Sequence, residues 1–184
     1  MRSVEEAVKL AQNGDVAAFA DLIARFERTA LAVAFGVLAD SDRSGDTVQE
    51  AFVRAWQRLG DLREPERFGA WLCGIVRNLA HDAQRRASRE SRARAAVAVP
   101  LYANRADDPA LRLEDCENEE RLTAALGKLD ETTRMAVVLR YYEGMTSKQI
   151  GPLLDLPPAA IDMRLMRARR ALRRELAGDE PENR

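Results

Sequence analysis

Six arginines fall between Arg164 and Arg174 with no acid among them, and six more between Arg77 and Arg94 face only Asp82 and Glu90. Guanidinium groups at that density do one chemistry well. They hold a polyanion, through charge-assisted hydrogen bonds to phosphate oxygens and paired bonds to guanine edges. Between the two blocks, Asp107 to Glu120 holds seven acids against Arg112 alone. The formal net charge of −1 hides this arrangement. Two basic surfaces with an acidic stretch between them fit a chain that grips nucleic acid twice and keeps its connector off it.

The two blocks differ in kind. In the second, helical projection puts Ile161, Leu165, Ala168, Leu172 and Leu176 on one apolar stripe. Arg167, Arg170, Arg173 and Arg174 occupy the opposite arc, with Arg164 and Arg169 at its borders. A short helix and a tight turn precede it, which is helix-turn-helix spacing and would present those arginines to a DNA groove. A solvated surface helix with cations near its C-terminus is the plainer reading of the same pattern. In the first block, Arg67, Trp71, Asn78, Asp82 and Arg85 lie along one flank of a long helix. An indole, an amide and guanidinium groups together suit unpaired bases, which stack and hydrogen-bond. The loop before it, "LGDLREPERF", is a candidate receptor for a base turned out of the stack. The Trp71 ring itself reads as core, because large aromatics are mostly buried.

A third constellation is "GDTVQEAFVRAW", Gly45 to Trp56. Val48, Phe52, Ala55 and Leu59 form its apolar stripe. Asp46, Glu50, Val53 and Gln57 gather on the other side with Gln49 at the margin, a face of acids and amides with no basic partner between them and one valine among them. Catalysis finds no comparable grouping. His81 has no nucleophile or second base near it in sequence and reads as a surface histidine. There is no phosphate loop or metal-ligand spacing, and Cys73 and Cys116 read as ordinary thiols of a cytosolic chain.

The elements that must position these residues are helices. Of 184 residues, 46% are hydrophobic and 32% charged, a soluble helical profile, and only 5% are aromatic. No apolar run is long enough to span a membrane, and Ser3 with Glu6 reads as a helix start rather than a signal peptide. Asp15 caps a second helix carrying Phe19, Leu22, Ile23, Phe26 and Ala30. "ADSDRSGD" reads as a polar turn, the Val53 helix follows to Leu59, and a long helix starts near Glu66. Periodicity fails from Ala93 to Asp108, a stretch that reads as a linker. Asp108 and Pro109 open a second unit with a helix to about Lys128, a helix from Asp130 closed by Gly144, a short helix from the Thr146–Gln149 capping box, and a last one from Pro158 to about Ala177. The expectation is an all-α protein of two helical domains, 1–92 and 109–184, joined by a flexible linker at 93–108.

"GDVAAFADLIARF", "GDTVQEAFVRAWQRL", "FGAWLCGIVRNLAHDAQRR" and "LDETTRMAVVLRYYEGMTSKQIGPLLDL…RLMRARRALRREL" stand in the order and spacing of one family. The chain resembles a bacterial RNA polymerase sigma factor of the extracytoplasmic-function type, over nearly everything from Asp15 to Leu176. The resemblance implies that the helix of Asp46, Gln49, Glu50 and Val53 docks on the clamp helices of the polymerase largest subunit. A small apolar patch inside a polar rim is what a transient interface presents. It implies contacts to an opened −10 element by Arg67, Asn78, Arg85 and Arg86, and to a −35 duplex by Asp162, Arg164, Arg167 and Arg170. Core polymerase and promoter DNA follow as partners, an anti-sigma protein as a candidate one, with no cofactor and no enzymatic activity of the chain's own.

The sequence departs from the family where the last helix begins. "AAIDMR" puts Asp162 in place of a customary lysine and Met163 in place of a small polar residue, and Pro152 falls inside the support helix, where it removes an N–H. Asp162 then either accepts a hydrogen bond from a base or only complements the helix dipole. Two rival functions remain at this level: a stand-alone helix-turn-helix regulator, which would bind duplex DNA tightly without polymerase, and a helical adaptor that binds protein only.

Overall fold

The computed structural model describes residues 2–96 and 121–177. They form helices α1 (Val4–Gln12), α2 (Val16–Leu38), α3 (Ser41–Gln57), α4 (Phe68–Ala96), α5 (121–127), α6 (Glu131–Tyr141), α7 (Ser147–Leu154) and α8 (Pro158–Ala177), with two 3-10 turns, Leu59–Asp61 and Pro65–Arg67, leading into α4. No strand occurs among the described residues. Helix α4 runs on into the first residues of the expected linker. The rest of that linker, the Asp108–Pro109 helix start, the acidic stretch and Cys116 lie outside the described residues.

Most helix starts follow from one side chain each. The Ser3 hydroxyl accepts from the Glu6 amide, Asp15 from Ala18, and Asp130 from Thr133, at 3.0–3.1 Å. The Thr146 amide donates to Gln149 Oε1 at 2.9 Å. Each such cap satisfies an orphan end group and contributes about 1 kcal/mol.

"ADSDRSGD" is not a turn. Only Ala39, left-handed at φ 50°, and Asp40 separate α2 from α3. The Asp40 carboxylate accepts from the Arg43 amide at 3.0 Å, so the helix starts a full turn and more before the sequence expectation. The polar side chains that suggested a turn are absorbed by the helix: the Ser44 hydroxyl donates to the Asp40 carbonyl and that of Thr47 to the Arg43 carbonyl. Arg43 Nη2 donates to the Ala83 carbonyl at 2.9 Å and fastens this end of α3 to α4.

Helix α2 is the centre of the molecule. Leu22, Ala30, Val33, Ala34, Gly36 and Val37 are all buried, more than one face can account for. Helices α1, α3 and α4 cover one side of it and α6 covers another. Aromatic pairs key these helices together: Phe19 lies 4.9 Å from Trp56 and 6.4 Å from Phe52, and Phe26 lies 5.2 Å from Phe68. The second unit closes around Met135, Leu139, Ile150 and Ile161, none with any solvent exposure.

Two apolar expectations need correction. Trp71 is half-buried, stacked at the edge of the core 6.0 Å from Phe68, rather than within it. Leu176, on the last turn of α8, is 42% exposed. Phe68→Ala, at a wholly buried ring, is therefore expected to cost about 3–5 kcal/mol, and Trp71→Ala about 2 kcal/mol. Urea unfolding midpoints at unchanged slope check the order; equal losses would put Trp71 as deep in the core as Phe68.

Candidate nucleic-acid and polymerase interfaces

The outer face of α3 stands as its periodicity predicts. Thr47, Val48, Ala51, Phe52 and Ala55 turn inward, and Asp46, Gln49, Glu50 and Val53 outward, Val53 with 57% of its surface exposed. Trp56, 37% exposed, extends the apolar patch while its ring rests on Phe19. Asp46 and Gln49 make no side-chain hydrogen bond or ion pair among the described residues. The face does have a basic partner, contrary to the sequence reading. Arg54 Nη2 lies 2.7 Å from Glu50 Oε1, one helical turn away.

Arg54 also links this face to the next. It lines a cleft of about 280 Å³ between α3 and α4 together with Asp82, Arg85, Arg86 and Arg89. Four guanidinium groups surround one carboxylate there. The Arg85 hydrogen bond to Asp82, at 2.7 Å, together with Arg86 and Arg54 nearby, holds the Asp82 carboxyl below its ordinary range. The cleft stays net positive, and like charges so close favour an anion that can neutralise them. Sequence reasoning missed Arg54, because its partners sit on a different helix; its spacing of four from Glu50 was the available signal. Asn78 is exposed one turn before the cleft, while Arg67 lies in the 3-10 turn and pairs with Glu64 at 3.4 Å.

The loop before α4 is anchored from beneath and leaves Gly60, Asp61, Arg63 and Glu64 exposed. Leu59 and Leu62 are buried, and Gln12 Nε2 donates to both of their carbonyls, at 3.0 and 2.9 Å. His81 is partly exposed, and its Nε2 lies 3.3 Å from Glu131 Oε1 at the start of α6. Cys73 is buried against apolar neighbours, and desolvation pushes its thiol up to about 12. That is the state of an inert structural cysteine. No three His, Cys, Asp or Glu side chains converge to hold a metal among the described residues.

Helices α7 and α8 make a helix-turn-helix. The turn is tight enough that a Cβ on Gly151 would stand 2.6 Å from the Leu156 carbonyl oxygen, while the Leu156 amide donates to the Gly151 carbonyl at 3.0 Å. Asp155 takes the left-handed conformation that ends α7. Pro152 does not stop the helix. It is exposed, as is Lys148, whose carbonyl loses its donor, and α7 continues to Leu154.

The arginines of α8 divide in two. Arg167, Arg170, Arg173 and Arg174 are exposed. Arg164, partly exposed, and Asp162, exposed, also bond within the protein. Arg164 Nη1 donates to Asp130 Oδ1 and to Thr133 Oγ1, both at 3.2 Å, tying α8 to the cap of α6. Partial burial alone would raise the Asp130 pKa; the Thr133 hydroxyl and amide, with Arg164 and Arg134, outweigh it and hold the carboxyl below its usual range. Asp162 accepts a hydrogen bond from the Ser147 hydroxyl at the start of α7, so it pins the two helices together. Arg169 donates to the Tyr141 hydroxyl at 2.6 Å. Met163 and Met166 are exposed beside the free arginines and add apolar surface to the same arc.

Residues 22–90 match the family Sigma-70 region 2, and residues 119–172 match Sigma-70, region 4. The chain is 37% identical over 161 residues to the probable RNA polymerase sigma factor RfaY of Xanthomonas campestris pv. campestris, and spans 40% of that relative's length. It is 26% identical over 180 residues to the ECF RNA polymerase sigma factor SigW of Bacillus subtilis, covering 94% of this chain and 96% of that one. Among solved structures, CnrH in complex with the cytosolic domain of CnrY matches 96% of this chain and 98% of its own, with a TM-score of 0.68 and 28% identity. Region 2 thus takes in α3 and most of α2 and α4, and region 4 takes in α6, α7 and most of α8, in the family's order, and the chain belongs to the sigma-70 family of RNA polymerase sigma factors, in its extracytoplasmic-function group.

Proposed function

We propose that the chain docks on core RNA polymerase through the outer face of α3 and reads promoter DNA through α4 and α8. It would lend the polymerase promoter specificity and strand opening and carry out no covalent step itself. The observation that supports this best is the pair of basic surfaces left with excess positive charge on the two matched regions: the Arg54–Arg89 cleft, and the exposed arc of Arg167, Arg170 and Arg173. Residues 1–92 are assigned the polymerase and the −10 element, residues 109–184 the −35 element, and 93–108 the connection. Work with polymerase would put the chain in the cytoplasm; no described helix is long and apolar enough to cross a membrane. An anti-sigma protein belongs to the same reading, since CnrH was solved with the cytosolic domain of CnrY.

Within α8, Arg167 and Arg170 are assigned the DNA and Arg164 and Asp162 the positioning of the recognition helix. On α4, Arg67, Asn78, Arg85 and Arg86 are assigned the −10 element. Asn78, whose side chain is exposed and bonds no described residue, would meet an unpaired base at least cost. Arg85 must exchange Asp82 for a phosphate.

Run-off transcription with purified core polymerase tests the whole reading. A stand-alone regulator would bind the duplex tightly and leave transcription unchanged. Val53→Asp, or Asp46→Ala with Gln49→Ala, should reduce co-purification with core at least tenfold while helical content stays at the wild-type level, since none of these side chains faces the core. Retention at wild-type strength would remove α3 from the interface.

Asn78→Ala and Arg85→Ala should slow open-complex formation on duplex promoters, and a template with an unpaired −10 region should restore part of the rate. Normal opening by both variants would make this flank a solvated surface. Arg167→Ala should weaken holoenzyme binding across −35 variants and lower the salt slope by about one. Arg164→Ala should instead lower the unfolding midpoint with the salt slope unchanged. The reverse pattern would return Arg164 to the DNA.

A further inference from the structure

Arginines occupy the flanks of the α8 surface but not the centre of its leading turns. Ile161, Leu165, Ala168 and Leu172 face the core and fix the inward direction of the helix. At 100° per residue Met163 stands opposite them, on the outermost line, with Arg167 and Arg170 within about 40° to either side. Met163 is 48% exposed; Met166, at 43%, and Ala159, one turn earlier, extend the same apolar surface. The two polar neighbours are turned aside, about 100° from that line in opposite directions. On one side Asp162 accepts from the Ser147 hydroxyl, and on the other Arg164 donates to Asp130 and Thr133. Held from both flanks, α8 has a set rotation about its own axis, and that rotation aims Met163 outward.

An exposed methionine alone carries no meaning. Its setting does. On the reading proposed above, the first turns of α8 enter the major groove, with Arg167 and Arg170 toward the phosphates. Base edges in that groove present hydrogen-bond donors and acceptors and a single apolar group, the C5-methyl of thymine. A thioether has no proton to donate and is a weak acceptor. Set against guanine, cytosine or adenine, it would strip water from polar edges and leave them unpaired. Set against thymine, it buries apolar surface on both partners. Three rotatable bonds and a polarizable sulfur let the side chain follow the methyl group.

We infer that Met163 is a specificity-determining residue that selects a thymine in the duplex element met by α8, by packing its thioether on the C5-methyl. The inference rests on the sigma reading. Deoxyuridine tests it, since it keeps every hydrogen-bonding group of thymine and lacks only that methyl. Holoenzyme made with the full chain selects its −35 element from a randomised pool, and each thymine on either strand is then replaced by deoxyuridine. One replacement should weaken binding about fourfold, which is about 0.8 kcal/mol, the worth of one buried carbon group. Met163→Leu should keep that loss. Met163→Ser should abolish it at wild-type helical content and with the salt slope unchanged, because the contact carries no charge. Arg167→Ala should do the converse, lowering the slope and keeping the deoxyuridine effect. A selected element of G·C pairs alone, tolerance of deoxyuridine at every position, or a penalty that persists in Met163→Ser would overturn the inference. So would a Met163→Ser chain that loses core polymerase rather than thymine preference, which would make the methionine a protein contact. Failure of the sigma reading looks different: the wild-type chain would not join core at all, and the assignment would fall with it.

Discussion

A helix that is apolar around most of its circumference has to be covered around most of its circumference. Helix α2 sets this constraint, with Leu22, Ala30, Val33, Ala34 and Val37 all buried. Its partners within the first region, α1, α3 and α4, cover part of it and in doing so turn the Val53 face of α3 and the Asn78 flank of α4 outward. The remainder is covered by α6. The placement of the second region is thus a consequence of how much of α2 the first region leaves open, and each surface assigned a function is what remains outside once α2 is enclosed.

How far the sequence could be read followed the range of the interaction. Ser3, Asp15, Asp130 and the Thr146–Gln149 box act within one turn, so helix starts were visible in the residues themselves. The Asp40 cap was equally local but was masked by the polar residues after it, because Ser44 and Thr47 serve turns and helices alike. The inward and outward faces of α3 were legible from periodicity, since each side chain there is committed by the 100° step alone. Partners drawn from other helices were not. Arg164 finds Asp130 across 34 positions and Asp162 finds Ser147 across 15, so the internal partners of these two charges were not legible from their own helix. Nothing in the periodicity of α2 or α6 distinguishes a face that meets its own region from one that meets the other.

The same division gives the Asp at the start of α8 a structural task. Bonded to the Ser147 hydroxyl, Asp162 keeps its charge and ties the start of α8 to the start of α7. The free cations lie further along, at Arg167, Arg170 and Arg173, and the exposed thioethers of Met163 and Met166 stand among them. On the reading proposed above, recognition at this surface would combine phosphate attraction with an apolar contribution, and the apolar part would be insensitive to salt.

Cys73 offers a use that its inertness creates. Burial pushes its thiol up to about 12, so the thiolate is scarce at neutral pH, and the sulfur sits on the buried face of α4. An alkylating reagent can reach it only when the core of the first region breathes. The rate of its modification is then a native stopwatch for local unfolding, requiring no introduced probe, and it should stay slow through any rearrangement that separates the two regions as intact bodies.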